Sequence, residues 1–516
     1  MRAKITPTRA SAPGTDRNLW GSCMKDQTSL HELEMRIRDV SLDLDPEAMR
    51  RAAHRVADYV VDRIANLRES TLGQELHREE TEARLREPLP EDPMNFEEVF
   101  AKFAQDVAPY SIPLDHPRFF AFVPSAPSFI SILGDMLAAG TNVFAGTWFE
   151  SAGPSQVEIL VIDWFKQILA LPPEAAGLLV SGGSVANLTA LAVARRAMVG
   201  DVTPNAVVYL SAHAHTAIDR GLRILGIGEA QWRRIPTDPQ FRMQPQALAA
   251  QIREDLKGGL RPLAVVASAG TTSTGAVDPL EAIARVAREN HVWFHVDAAY
   301  GGFAALTGRG RALLRGIEQA DSVVLDPHKW FYCPIEAGCV LVREGRRLFE
   351  TFHILPDYMR DVEREEREVN FCDYGLQLTR SFRALKVWMA VKTYGIARIR
   401  EIIGQCLDLA EYAAQWFQEG PQLEIITPPS LGVFTFRYVP SVTPPGQERE
   451  AFLNRLNDAL IARIIASRRL MLSSTRLEGR HVLRFCVLNH RSRQEDVRAA
   501  RDIILQLGSE VEKSLL

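Results

Sequence analysis

Between residues 177 and 342, short apolar runs alternate with longer stretches in which apolar residues recur every three or four positions. The runs at 177–180, 206–210, 263–267, 292–296, 322–325 and 339–342 are rich in Val and Leu and too short for helices, so they predict buried strands. The periodic stretches at 185–196, 217–225 and 280–289 predict helices between them. Strands apolar on both faces, separated by helices, predict an α/β fold built on a largely parallel sheet covered on both sides. In such sheets ligands bind beyond the carboxyl ends of the strands.

The flanks read differently. Asp45-Pro46 is an N-cap acid followed by a proline at the first helical position, and it opens a helix over 46–67. Met49, Ala53, Val56, Val60, Ile64 and Leu67 form one apolar stripe that needs a surface to bury it, and a partner subunit would supply one. After about residue 395 a helix over 397–417, strands at 433–438 and 482–488 and a closing helix over 494–507 predict a smaller α+β domain, with Pro428-Pro429 and Pro444-Pro445 as turns. The expected organisation is a tail over 1–40, a helical arm over 41–115, a large domain over 116–395 and a small C-terminal domain over 396–516.

Composition narrows the function classes. With 46% hydrophobic and 24% charged residues and a net charge of −4, the 516-residue chain has no basic footprint for nucleic acid and no polybasic patch for membranes. No apolar run approaches a membrane span, and no secretory signal is visible at the N-terminus. Arg2, Lys4, Arg9 and Arg17 against Asp16 have the charge bias of a transit peptide, but a plain tail, or a start at Met24, is the preferred reading. The six cysteines, at positions 23, 333, 339, 372, 406 and 486, show neither C-x-x-C nor zinc-finger spacing. They predict reduced thiols in the cytoplasm and no metal centre.

Candidate chemistry collects at the predicted strand ends. Asp326-Pro327-His328-Lys329-Trp330 follows the strand at 322–325, and a lysine there is unusual, because lysine is rarely buried without a purpose. Burial lowers an ammonium's pKa, which suits an imine-forming amine. His295-Val296-Asp297-Ala298-Ala299-Tyr300-Gly301-Gly302 closes another strand, and its Asp could be a turn residue or the partner of a protonated ring nitrogen. Ser181-Gly182-Gly183-Ser184 joins a strand to a helix. It has the form of a phosphate cradle, although a plain strand–helix turn would look the same. It lacks the lysine of a P-loop and the glycine spacing of a dinucleotide site. His215 and Gly270-Thr271-Thr272 sit after two further strands.

In this order the segments resemble the fold-type-I pyridoxal-phosphate enzymes, specifically the group II amino-acid decarboxylases and, among those, the aromatic-L-amino-acid decarboxylases. The HVDAAY and DPHKW segments carry the resemblance, which runs from about Asp45 to the C-terminus. It implies a homodimer with a mostly parallel seven-stranded sheet in the large domain, pyridoxal 5'-phosphate as cofactor and a small amino-acid substrate. By this resemblance Lys329 matches the Schiff-base lysine, Asp297 the pyridinium partner and His215 the histidine stacked on the ring. Gly183, Ser184 and His328 match phosphate-binding positions, Thr272 a threonine near the ring, and Ala299 the residue packed on its back face. Asp326 stands where many members have Asn, and a second negative charge near the phosphate would be unfavourable.

For the substrate, the segment containing Phe122 and Pro124 resembles the family's side-chain pocket. Phe144 and Trp148 fall where the other subunit contributes, and Arg484 matches a position proposed to meet the substrate carboxylate. The charged stretch 352–375 reads as a long loop, and Tyr358 within it matches the lid tyrosine that donates a proton to the substrate carbon. The expected reaction is decarboxylation of tryptophan, phenylalanine, tyrosine or dopa to the amine. The rivals are an acidic or diamino substrate, an aldehyde synthase on the same scaffold, and a non-catalytic cofactor-binding homologue.

Overall fold

Seven strands follow one another along the middle of the chain: β1 (Ala176–Val180), β2 (Ala206–Ser211), β3 (Trp232–Ile235), β4 (Arg261–Ser268), β5 (Trp293–Asp297), β6 (Ser322–Leu325) and β7 (Gly338–Val342). They form one sheet in the order β1-β7-β6-β5-β4-β2-β3 in the computed structural model, which describes residues 29–201, 204–354, 368–446 and 448–515. β7 is antiparallel to both of its neighbours, and the remaining pairs are parallel. Six strands therefore point the same way, and the carboxyl ends of β1, β2, β4, β5 and β6 share one edge. Every residue of β2, β6 and β7 is buried, which is why these strands read as continuous apolar runs rather than as alternation.

The chain divides after Ile64 into two units. In the first, Ser29 caps the helix Leu30–Arg36 in a reciprocal box with Glu32. Asp45 Oδ1 accepts from the Glu47 and Ala48 amides at 3.0 and 3.1 Å and opens the helix Pro46–Ala65. None of that helix's residues is buried, so Met49 and Val56 of the apolar stripe remain exposed.

The second unit also contains a four-stranded antiparallel sheet, β8 (Leu423–Ser430), β9 (Val433–Tyr438), β10 (Ser473–Leu477) and β11 (Arg480–Cys486), in the order β10-β11-β9-β8. Pro428-Pro429 lies inside β8 rather than in a turn. β8 is an edge strand paired only with β9, and its register slips on either side of Thr427, so the missing proline N–H groups break no ladder. The helix expected over 397–417 is Ala384–Gln418, interrupted at Gly395, whose φ of +70° is open to glycine without strain.

A buried ion pair ties the end of β1 to the segment before that long helix. Arg380 Nη2 donates to Glu158 Oε1 and to the Leu179 carbonyl at 2.9 Å, and Nη1 donates to the Ala145 carbonyl at 2.8 Å. Glu158 Oε1 also accepts from the Leu179 amide at 2.8 Å, and the guanidinium lies 4.9 Å from the centre of the Phe371 ring. Removing one member strands the other's charge in the core, which typically costs about 3–5 kcal/mol. Arg380→Ala is expected to lower the thermal midpoint by several degrees and to raise susceptibility to proteolysis. An unchanged midpoint by calorimetry would show that the pair adds nothing.

Candidate active site

The shared edge of β1, β2, β4, β5 and β6 opens into a cavity of about 360 Å³. Its wall brings together Gly183, Ser184, His215, Thr272, Asp297, Ala299, Asp326, His328 and Lys329, nine residues that the sequence placed after five different strands.

The turn after β1 supplies one end. The helix begins at Gly183, two residues before the periodicity starts, and presents its free N–H groups to the cavity. A Cβ at Gly183 would lie 3.0 Å from Asp326 Oδ2 and 3.1 Å from the Ala299 Cβ, so any larger residue would crowd this wall. His215, after β2, caps the helix Thr216–Ile224. Its Nδ1 accepts from the Ala217 amide at 3.2 Å, which leaves the proton on Nε2. The loop after β4 turns at Gly270, whose φ is +102° and where a Cβ would strike the Tyr300 ring.

Arg484 braces that loop. Its Nε donates to the Ser273 carbonyl at 3.0 Å, Nη2 to the Thr272 carbonyl and Nη1 to Ser473 Oγ at 2.6 Å. Arg484 is not part of the cavity wall, and the guanidinium expected to meet a substrate carboxylate instead holds Thr272 in place.

Asp297 is the last residue of β5, in register with Ser268 of β4. It lies deep in the molecule with its carboxyl on the cavity wall, and burial pushes its pKa up while the nearby Lys329 pulls it down. The hydrogen bond to it among the described residues comes from the Ala299 amide at 3.2 Å. Such a carboxyl calls for a cationic N–H from the cavity side.

The segment after β6 carries Lys329. Its Nζ is 2.9 Å from Asp326 Oδ2. His328 Nδ1 accepts from the Ala337 amide at 3.1 Å, and burial lowers the ring's pKa, so the ring is neutral; its Cε1 faces Gly182 and its Nε2 lies 3.6 Å from Asp326 Oδ2.

Sequence reasoning missed the polar layer beneath this wall. Trp293 Nε1 donates to Ser322 Oγ at 2.8 Å, Ser322 donates to His295 Nδ1 at 2.8 Å, and His295 Nε2 donates to Asn187 Oδ1 at 2.7 Å. The indole can only donate, the Asn187 amide oxygen can only accept, and a neutral ring carries one proton, so Nε2 donates and Nδ1 accepts. Burial drives the His295 pKa down to about 3, so the ring stays neutral. Asn187 and Ser268 both line the cavity. The available signals were an amide inside an apolar helix and a polar residue ending an apolar strand.

Phe122, Pro124, Phe144 and Trp148 do not line this cavity. Phe122 is exposed, Phe144 borders a neighbouring cavity, and Trp148 begins the helix Trp148–Leu169. Tyr358 lies outside the described residues.

The pyridoxal-dependent decarboxylase conserved domain matches residues 79–439. The chain belongs to this family. It is 39% identical to an aromatic-L-amino-acid decarboxylase of Bacillus atrophaeus, over 91% of this chain and 98% of that protein. The Oryza sativa TDC solved with PLP and tryptamine superposes with a TM-score of 0.86 at 28% identity, covering 91% of this chain and 99% of that one. The Rhodiola rosea 4-hydroxyphenylacetaldehyde synthase gives 0.83 at 26% identity, over 90% and 99%.

The decarboxylase is therefore a pyridoxal-phosphate enzyme, and its cavity fits that cofactor. An amine, a carboxyl whose hydrogen-bond donor among the described residues is one backbone amide, and a glycine-lined helix N-terminus correspond to the aldehyde, the ring nitrogen and the phosphate. No described helix is long and apolar enough to cross a membrane.

Proposed function

We propose that the decarboxylase converts an aromatic L-amino acid, namely tryptophan, phenylalanine, tyrosine or dopa, to its amine and CO2. The convergence of Lys329, Asp297 and His215 on one cavity carries this reading. The full-length likeness to an aromatic-amino-acid decarboxylase supplies the substrate class.

Lys329 Nζ would hold the cofactor, and Gly183, Ser184 and His328 would hold its phosphate. Asp297 would keep the ring nitrogen protonated, His215 would stack on one ring face, and Ala299 and Thr272 would bound it. When bound, the cofactor supplies the electron sink that lets the Cα–carboxylate bond break. The chain's task is to hold that bond perpendicular to the ring and to keep water away. Tyr358 returns a proton to Cα. Phe122, Pro124, Phe144 and Trp148 shape the side-chain pocket, the last two from the partner of a homodimer. The five cysteines among the described residues are free and buried, which supports a reducing cytoplasm.

The deciding experiment offers an equimolar mixture of the four aromatic acids plus glutamate and 2,4-diaminobutyrate. CO2 and each amine are then measured. Amines from the aromatic acids alone are expected, and preferential consumption of an acidic or diamino acid overturns the reading.

Two further outcomes follow. The open stripe of the helix Pro46–Ala65 and a cavity wall that does not include Phe144 or Trp148 favour a symmetric dimer. Light scattering at assay concentration should find one, and a fully active monomer removes it. A second reading, aldehyde synthesis, has support in the likeness to the Rhodiola rosea synthase. If Tyr358 is the proton donor, Tyr358→Phe should still release CO2 and should shift product from amine toward aldehyde, hydrogen peroxide and ammonia. An unchanged product ratio with no oxygen uptake leaves Tyr358 only a packing role.

A further inference from the structure

Asp326 faces two ways. Its side chain is almost fully buried, and Oδ2 sits 2.9 Å from Lys329 Nζ and 3.6 Å from His328 Nε2. Oδ1 is also buried and has no hydrogen-bond partner. Both oxygens lie against the first residue of the helix that leaves the glycine turn, since a Cβ at Gly183 would meet Oδ2 at 3.0 Å and Oδ1 at 3.5 Å. The same carboxyl thus touches the lysine ammonium and forms a wall of the turn suited to a phosphate. An unpartnered buried oxygen is costly, and this one is aimed at the place where an anion would sit.

We propose that cofactor binding is coupled to proton uptake at Asp326: the group is a carboxylate paired with Lys329 in the cofactor-free protein and a carboxylic acid that donates to the phosphate in the loaded enzyme. The inference rests on the pyridoxal-phosphate reading of the cavity and adds a proton to it.

The charges around Asp326 force the choice. On its own segment, Lys329 is the cationic partner and His328 is held neutral by burial. From β5, Asp297 faces it with a like charge, and from β7 the Cys339 thiol is driven far above its ordinary pKa and stays neutral. His215, after β2, acts on Asp297. Once Lys329 engages the cofactor, its free ammonium is no longer available to pair with Asp326. A phosphate beside a bare carboxylate would then put like charges together, and like charges at such range favour the protonated acid. One proton, taken from solvent, converts the repulsion into a hydrogen bond and gives the orphaned edge of the carboxyl a partner.

The test uses cofactor-free protein and two probes, pyridoxal 5'-phosphate and pyridoxal. Dissociation constants are measured by equilibrium dialysis between about pH 6 and about pH 9, a window that brackets neutrality. Wild-type affinity for the phosphorylated probe should fall with rising pH by up to about tenfold per unit, one proton's worth. Affinity for pyridoxal should follow a flatter line, because any pH dependence of lysine chemistry is common to both probes. Asp326→Asn should flatten the phosphorylated probe's slope to that of pyridoxal and bind it more tightly than wild type at the alkaline end.

The same slope in Asp326→Asn as in wild type overturns the proposal, as does weaker binding by the variant at every pH. Wild type alone gives a second measurement should the variant fold poorly. Calorimetry in buffers of different ionisation enthalpy should count about one more proton taken up with pyridoxal phosphate than with pyridoxal, as one titrating carboxyl requires. Equal counts overturn the proposal. The bound phosphate should keep the phosphorus NMR shift of the dianion, and a monoanion shift would place the proton on the phosphate instead. If neither probe binds, the cofactor reading itself fails. If both bind without these differences, only the role of Asp326 does.

Discussion

Lys329→Ala is expected to abolish turnover while leaving a folded protein that still takes up pyridoxal phosphate non-covalently. The wild-type protein should be yellow as purified, and borohydride should fix the cofactor to Lys329. A lysine can serve only if its Nζ reaches the cavity and can give up its proton, and Lys329 is on the cavity wall. The one lysine that is fully buried among the described residues, Lys386, is committed elsewhere. Its Nζ donates to Asp135 at 2.9 Å and to the Pro334 and Glu336 carbonyls at 3.3 and 3.0 Å, using all three protons. Neutralising Lys386 would take away one of three committed donors and leave Asp135 without its cation, whereas Lys329 has a single ion-pair partner among the described residues, Asp326. Mapping the reduced adduct by peptide mass analysis decides the matter. An adduct on any other lysine, or appreciable CO2 release by Lys329→Ala, overturns the assignment.

How legible this site was depends on the kind of signal each residue leaves. Asp297 and Lys329 follow apolar runs whose ends the pattern marks to within a residue, and the parallel sheet brings those ends to one edge. Strand order was not legible. Nothing in 338–342 announces that β7 runs against both neighbours, because hydrophobicity carries no direction. β3 went unseen because Trp232-Arg233-Arg234-Ile235 is an edge strand whose outer residues are charged and partly open. β8 was hidden by its own prolines, which an unpaired edge tolerates. Arg484 shows a different limit. Its residue type and strand suit either a carboxylate ligand or a brace, and its bonds to the carbonyls of Thr272 and Ser273, more than two hundred positions away in sequence, leave no local trace in the pattern.

Asp297→Asn is expected to lower kcat by several orders of magnitude while the protein remains folded and able to hold its cofactor. The wild-type carboxyl occupies an expensive position. Burial disfavours its charge, Asp326 adds a like charge, and Lys329 and His215 offset only part of this. The Ala299 amide is its hydrogen-bond donor among the described residues. A buried anion so poorly provided for makes sense when a cationic N–H approaches from the cavity, as a protonated ring nitrogen would. The pairing holds that proton on the ring, and the ring then accepts the electrons left when CO2 departs.

Asparagine keeps the shape and the bond from Ala299 but presents no charge, so the ring nitrogen loses its proton and the sink weakens. A loss of about 4 kcal/mol or more in transition-state stabilisation corresponds to roughly a thousandfold or greater fall, at 1.36 kcal/mol per tenfold. Because the change removes an interaction needed for bond breaking more than for binding, kcat should fall far more than the substrate's KM rises. Steady-state CO2 release, with cofactor content measured on the same sample, separates these effects. Near-normal kcat in a variant with full cofactor would mean that the ring nitrogen does not depend on Asp297. A variant that simply loses its cofactor would make the carboxyl an anchor rather than the group that sets the ring's charge.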